Sequence, residues 1–106
     1  MSYRYMRIIV MFDLPVTTAS NRKDYYTFRK NLVKNGFLML QESVYCKIAQ
    51  NSVAAETIIR NIKKYKPQEG LVQVLKVTEK QYSKMEFIVG DKQTDVIDSD
   101  ERLLIL

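Results

Sequence analysis

The chain contains no histidine in 106 residues. That absence removes the usual base near neutral pH, the Cys/His and Ser/His nucleophile pairs and most zinc sites in one step. Any chemistry must rest on carboxylates, a metal ion or tyrosines. Cysteine is nearly absent too: Cys46 stands alone, which rules out an internal disulfide framework. No apolar run is long enough to span a bilayer and no basic-plus-apolar leader opens the chain, so the expectation is a cytoplasmic protein with no membrane partner. The length suits one domain with a modest core and leaves no room for a separate catalytic domain. Hydrophobic residues at 46% and charged residues at 27% are ordinary for a globular protein.

What is present is unevenly charged. Residues 1–90 carry 15 Lys and Arg against 7 acids, whereas residues 91–102 carry 2 against 5. A basic body favours a polyanionic partner through phosphate neutralisation and counterion release. The plainer reading is that lysine-rich helices keep the protein soluble.

The chain is organised around residues 6–15, Met-Arg-Ile-Ile-Val-Met-Phe-Asp-Leu-Pro. Side chains alternate along a strand, so Ile8, Val10 and Phe12 take one side and Ile9, Met11 and Asp13 the other. Ile and Val enrichment and the Leu14-Pro15 stop favour a central strand over a buried helix. Both faces must then be covered, and Asp13 sits at the strand's C-terminal mouth. Two roles for it stand side by side. One is to accept backbone amides in the turn before Pro15. In the other, a two-fold copy brings a second Asp13 close, and the pair shares a proton or holds Mg²⁺. Such an ion polarises a phosphate or lowers the pKa of a bound water, which supports phosphodiester hydrolysis.

Beyond Pro15, Thr17 or Thr18 caps a helix that begins near Ala19 and ends at Gly36, the left-handed residue after the helix. Tyr25, Phe28, Leu32 and Val33 form its apolar side at helical spacing. Arg22, Lys23, Arg29, Lys30 and Lys34 collect on the neighbouring side as a basic stripe broken only by Asp24. The stripe is either a solvated face or a set of phosphate contacts, and its place directly after the Asp13 mouth keeps the second reading open. Residues 37–40 and 44–48 read as an antiparallel pair, or as one long bent strand. Within them Tyr45 is either a base-stacking aromatic or a core aromatic with a wet hydroxyl.

A second helix runs from residue 52 to about residue 66, stopped by Pro67, with Ala55, Ile58, Ile59 and Ile62 buried. Arg60, Lys63, Lys64 and Lys66 cluster near its end, where they complement the helix dipole. Gly70 opens a strand over residues 71–78 that is apolar on both sides. A helical turn over residues 79–84 and a last strand over residues 87–89 follow. The order strand, helix, strand, strand, helix, strand predicts an α+β, ferredoxin-like domain over residues 1–90, with both helices on one face of an antiparallel sheet. Two helices cover one face only, so a second copy is expected to pack sheet to sheet in a homodimer. Residues 91–106, an acidic turn and the apolar Leu103-Leu104-Ile105-Leu106, are expected to add a C-terminal strand on the partner or on another protein.

These residues carry a resemblance. The Met6 to Asp13 strand with Leu14-Pro15, the basic helix ending in Gly36-Phe37, the Gln41-Glu42-Ser43-Val44-Tyr45 segment and the strand-rich C-terminus resemble the small CRISPR-associated adaptation protein, the non-integrase partner in spacer acquisition. The Gly90-Asp91-Lys92 turn and apolar tail are similar to the subtype found with a single-protein RNA-guided effector. The resemblance implies a ferredoxin-like homodimer that bridges two integrase dimers and holds a short DNA duplex for insertion at the repeat array. It also implies that Asp13 matches a strand-end aspartate shared as a divalent-metal ligand at the dimer interface of members with nuclease activity. Phe12 stands where many members have Tyr, and Tyr45 where many have Phe, so roles of those hydroxyls do not carry over. The expected function is a DNA-binding scaffold. Its rival is a Mg²⁺-dependent endonuclease or endoribonuclease using Asp13. An RNA-recognition domain is disfavoured, because the aromatic-glycine strand signature is missing and the sheet face is apolar.

Overall fold

The computed structural model describes residues 4–90. β1 (Met6–Asp13) forms along the alternating apolar run and stops before Leu14 and Pro15. Thr18 caps α1 (Ala19–Lys34): its side chain accepts from the Asn21 amide, and the Asn21 side chain accepts from the Thr18 amide. The reciprocal pair satisfies groups that a helix start otherwise leaves orphaned. Asn35 ends the helix and Gly36 takes a φ of 90°, the left-handed turn that a side chain resists. β2 (Leu38–Gln41) and β3 (Val44–Ala49) pair antiparallel, with a register shift between Met39 and Gln41, so the segment is a hairpin and not one bent strand. Asn51 caps α2 (Ser52–Lys64) by accepting from the Ala54 amide at 2.8 Å. The helix stops two residues short of the expected Lys66, because the residue before a proline is pushed out of helical geometry. β4 (Leu71–Thr78) runs into the single turn of α3 (Glu79–Tyr82).

The sheet order is β2-β3-β1-β4 and every neighbouring pair is antiparallel. This is the expected ferredoxin-like arrangement, with β1 central. Met6, Ile8, Val10 and Phe12 of β1 meet Phe28 and Leu32 of α1, Ala55 and Ile62 of α2, and Tyr45 of β3 in one core. Each large side chain buried there contributes about 2 kcal/mol. Phe12 anchors an aromatic group, edge-on to Phe28 at 5.2 Å and stacked on Tyr45 at 5.7 Å.

Two expectations fail. Val33 is not on the packed side of α1 but 57% exposed. At about 100° per residue it falls a full step past Leu32, off the face that Phe28 and Tyr25 define. Residues 87–89 form no strand, and Phe87, Ile88 and Val89 are exposed. Three residues closed by Gly90 find no neighbouring strand to pair with once α3 has carried the chain off β4. The expected C-terminal strand and the 91–106 segment lie outside the described residues.

The other face of the sheet presents Arg7, Ile9, Met11 and Asp13 from β1, Cys46 and Ile48 from β3, and Leu71, Leu75 and Val77 from β4, as the registers require. α3 closes part of it. Arg7 donates to Glu79 through Nε at 3.0 Å and Nη2 at 2.6 Å, lies 4.1 Å over the Tyr82 ring, and reaches Cys46 Sγ through Nη1 at 3.5 Å. Ile9 and Cys46 are buried on this face. Leu38, Ile48, Leu71 and Leu75 stay exposed at 67%, 49%, 54% and 49%.

Candidate functional site

Asp13 is the last residue of β1, exposed, and paired with Leu71 of β4. Alternation puts its carboxylate on the same open face as Leu71 and Leu75. Its backbone is held by the loop before β4. Gly70, with a φ of 99°, passes so close that an added Cβ would stand 2.8 Å from the Asp13 carbonyl oxygen and 2.7 Å from Leu14 Cδ2. Asn21 of α1 donates to Glu69 Oε1 in the same loop at 3.0 Å, tying the helix start to the strand end. From the sequence Gly70 reads only as the residue that opens the strand over residues 71–78; the close approach that requires it is a tertiary fact.

One chain supplies one carboxylate here. Among the described residues no three His, Cys, Asp or Glu side chains gather closely enough to hold a metal ion. Mg²⁺ is held through one or two carboxylates and keeps its waters; the chemistry of Asp13 fits such an ion, and a second carboxylate would have to come from another copy.

The five basic residues of α1 are all exposed, but they do not share a surface with Asp13. α1 packs on the Ile8, Val10 and Phe12 side of the sheet, and Asp13 opens on the other. They are neighbours along the chain only. Within the stripe, Arg22 donates through Nη1 to the carbonyls of Val16 and Thr17 at 3.1 Å each, bracing the loop after β1. Arg29 donates through Nε to the Tyr45 hydroxyl at 2.7 Å, and that bond holds its guanidinium above its already high ordinary pKa. Lys23, Lys30 and Lys34 make no salt bridge among the described residues. Asp24 does not interrupt the stripe, since it lies towards the far edge of the helix. The exposed Tyr26 and Val33 do.

Tyr45 is wholly buried, so its ring has no face to offer a base. It is the core aromatic of the two readings, but its hydroxyl is not wet: it is buried and accepts from Arg29. The second basic cluster, with Lys63 and Lys64 in the last turn of α2, is exposed and sits where a helix dipole favours cations. No helix among the described residues is long and apolar enough to cross a membrane.

The family described as CRISPR associated protein Cas2 matches residues 6–85. A Treponema denticola protein is 54% identical over 101 residues, 95% of this chain and 100% of its own length. A Ligilactobacillus salivarius protein is 46% identical over the same shares, and one from Lacticaseibacillus rhamnosus 42% identical. All three carry the name CRISPR-associated endoribonuclease Cas2. The match spans β1 through α3, including Asp13, the basic helix and the hairpin that carries Tyr45, and the chain therefore belongs to the Cas2 family of CRISPR-associated adaptation proteins.

Proposed function

We propose that the protein works as a homodimeric scaffold of spacer acquisition, bridging integrase dimers and holding duplex DNA by its phosphates. The open face of the sheet supports this most directly. Leu38, Ile48, Leu71 and Leu75 lie on one sheet face, each about half bare or more, which is the condition that a second identical sheet relieves. The helices face outward in such a pair, so each copy presents its α1 stripe to DNA. Lys and Arg contacts of this kind fix position on the backbone without reading sequence. Sedimentation at micromolar concentration should give a dimer. Leu75→Glu should give a folded monomer by placing an unpaired charge in the interface. A wild-type monomer would refute the arrangement.

The relatives' name supports a second reading, an endoribonuclease. Docking on the open face brings the Asp13 carboxylates of both copies to the same side, and there they would hold Mg²⁺. The ion would supply Lewis-acid polarisation of a phosphate or a water of lowered pKa. Asp13→Ala separates the two roles. As a scaffold, the variant co-purified with the cognate integrase inserts a short duplex as well as wild type does. As a nuclease, it loses Mg²⁺-dependent cleavage of RNA. Integration abolished in a dimeric, DNA-binding Asp13→Ala protein would overturn the scaffold assignment.

A further inference from the structure

We infer that Tyr45 is a positioning residue for Arg29, setting its guanidinium as a phosphate-binding fork on the outside of α1. The inference rests on the DNA-holding role just proposed and assigns one contact within it. The Tyr45 ring is fully buried and stacked on Phe12 with an interplanar angle of 25°, so it has no freedom to tilt. Its hydroxyl emerges under Arg29 and accepts from Nε at 2.7 Å. Among the described residues this is the one hydrogen bond of the Arg29 side chain, which leaves the edge formed by the two Nη groups unused. That edge presents parallel donors at the spacing of two phosphate oxygens.

The consequence is a difference in kind within the stripe. Lys23, Lys30 and Lys34 are point charges on flexible stems and lack a salt-bridge partner among the described residues. They attract a polyanion without fixing it. Arg29 is tethered at one nitrogen to the most rigid part of the fold, so less freedom is lost when a phosphodiester docks on the remaining edge. The tether links DNA register to the core strand β3 and, through Phe12, to β1.

Binding of a labelled blunt DNA duplex by the full-length protein, titrated over a range of salt, tests this. Tyr45→Phe keeps the ring and removes only the hydroxyl; affinity should fall about three- to ten-fold. The slope of log affinity against log salt should not change, because no charge is lost. Arg29→Lys should show the same pattern, since it keeps the charge and discards the fork. Arg29→Ala should weaken binding and also reduce the slope by about 1. On that background Tyr45→Phe should have no further effect. The inference is overturned if Tyr45→Phe binds like wild type, or if it weakens binding equally with Arg29 already gone. If Tyr45→Phe does not fold, Arg29→Lys decides alone, and wild-type affinity there overturns the inference. Undisturbed binding in every Arg29 variant removes the fork yet spares the DNA role, provided a protein with Lys23→Glu and Lys30→Glu binds less well. Undisturbed binding in that protein as well removes the role itself.

Discussion

Gly70→Ala is expected to melt about 10 °C or more below wild type, a loss of about 2–5 kcal/mol for a domain of this size. Two effects add. A φ of 99° is a conformation that costs a residue with a Cβ about 1–2 kcal/mol. The Cβ also meets the Asp13 carbonyl at 2.8 Å and the Leu14 Cα at 3.0 Å, backbone atoms that move only if the end of β1 moves. Overpacking of this kind costs about 1–3 kcal/mol. The other positive-φ glycines serve as internal controls. At Gly36 the added Cβ faces the flexible end of Lys47, 3.1 Å away at Nζ, and at Gly90 it meets nothing within 4 Å. Alanine at either should show the conformational cost alone, about 1–2 kcal/mol. Because the clash at position 70 is with Asp13 itself, Gly70→Ala should also impair whatever depends on the placement of that carboxylate. Thermal melts of the three variants read the difference, and equal losses at positions 36 and 70 would show that the close approach is not constraining.

Local chemistry made much of this fold legible. The end of β1 follows from Leu14-Pro15, the start of α1 from Thr18 and its end from Gly36, because strand stops, caps and left-handed turns are decided within a few residues. The topology followed from the alternation of apolar periods. What stayed illegible needed a partner far along the chain. β1 is apolar on both sides, so nothing local says which side takes the helices, and hence which way Asp13 opens. That ambiguity hides from the sequence that the stripe and the carboxylate, adjacent along the chain, lie on opposite sides of the sheet. The Arg7–Glu79 pair joins residues 72 positions apart, and its charges look like any surface charges until α3 folds back over the sheet. The Arg29–Tyr45 bond is hidden differently. Each residue has an ordinary explanation alone, a solvated arginine and a core tyrosine, and only the docking of α1 on β3 joins them. Val33 shows the limit of apolar periodicity: an apolar residue one step past a packed face has the same composition as one within it, and only the docking of α1 separates them.

Reversing both Lys23 and Lys30 to glutamate is expected to weaken duplex binding at least roughly 60-fold near 0.1 M salt, the consequence of losing two phosphate contacts when each releases about 0.9 counterion. The slope of log affinity against log salt should shrink by about 2 for each copy that touches the duplex. These two lysines lie on the same outward side of α1, together with Lys34 and away from the Phe28 and Leu32 face, so they are the stripe residues with the least structural work to do. Arg22 and Arg29 also spend donors on the loop carbonyls and on Tyr45, so their variants probe more than charge. Melting temperature should therefore barely change in the lysine variant, as exposed substitutions usually stay within about 0.5 kcal/mol. The informative comparison is Lys63→Glu with Lys64→Glu, which alters charge equally at the end of α2. If those cations serve only the helix dipole, stability falls slightly and the salt slope stays at the wild-type value. Equal changes of slope for both pairs would mean that the protein attracts DNA through its net charge and not through a face. No change for either would leave the basic character of the body as a matter of solubility. A loss confined to α1 is the outcome that makes the helix a binding surface, because two variants of identical net charge would then differ only in where on the molecule the charge lies.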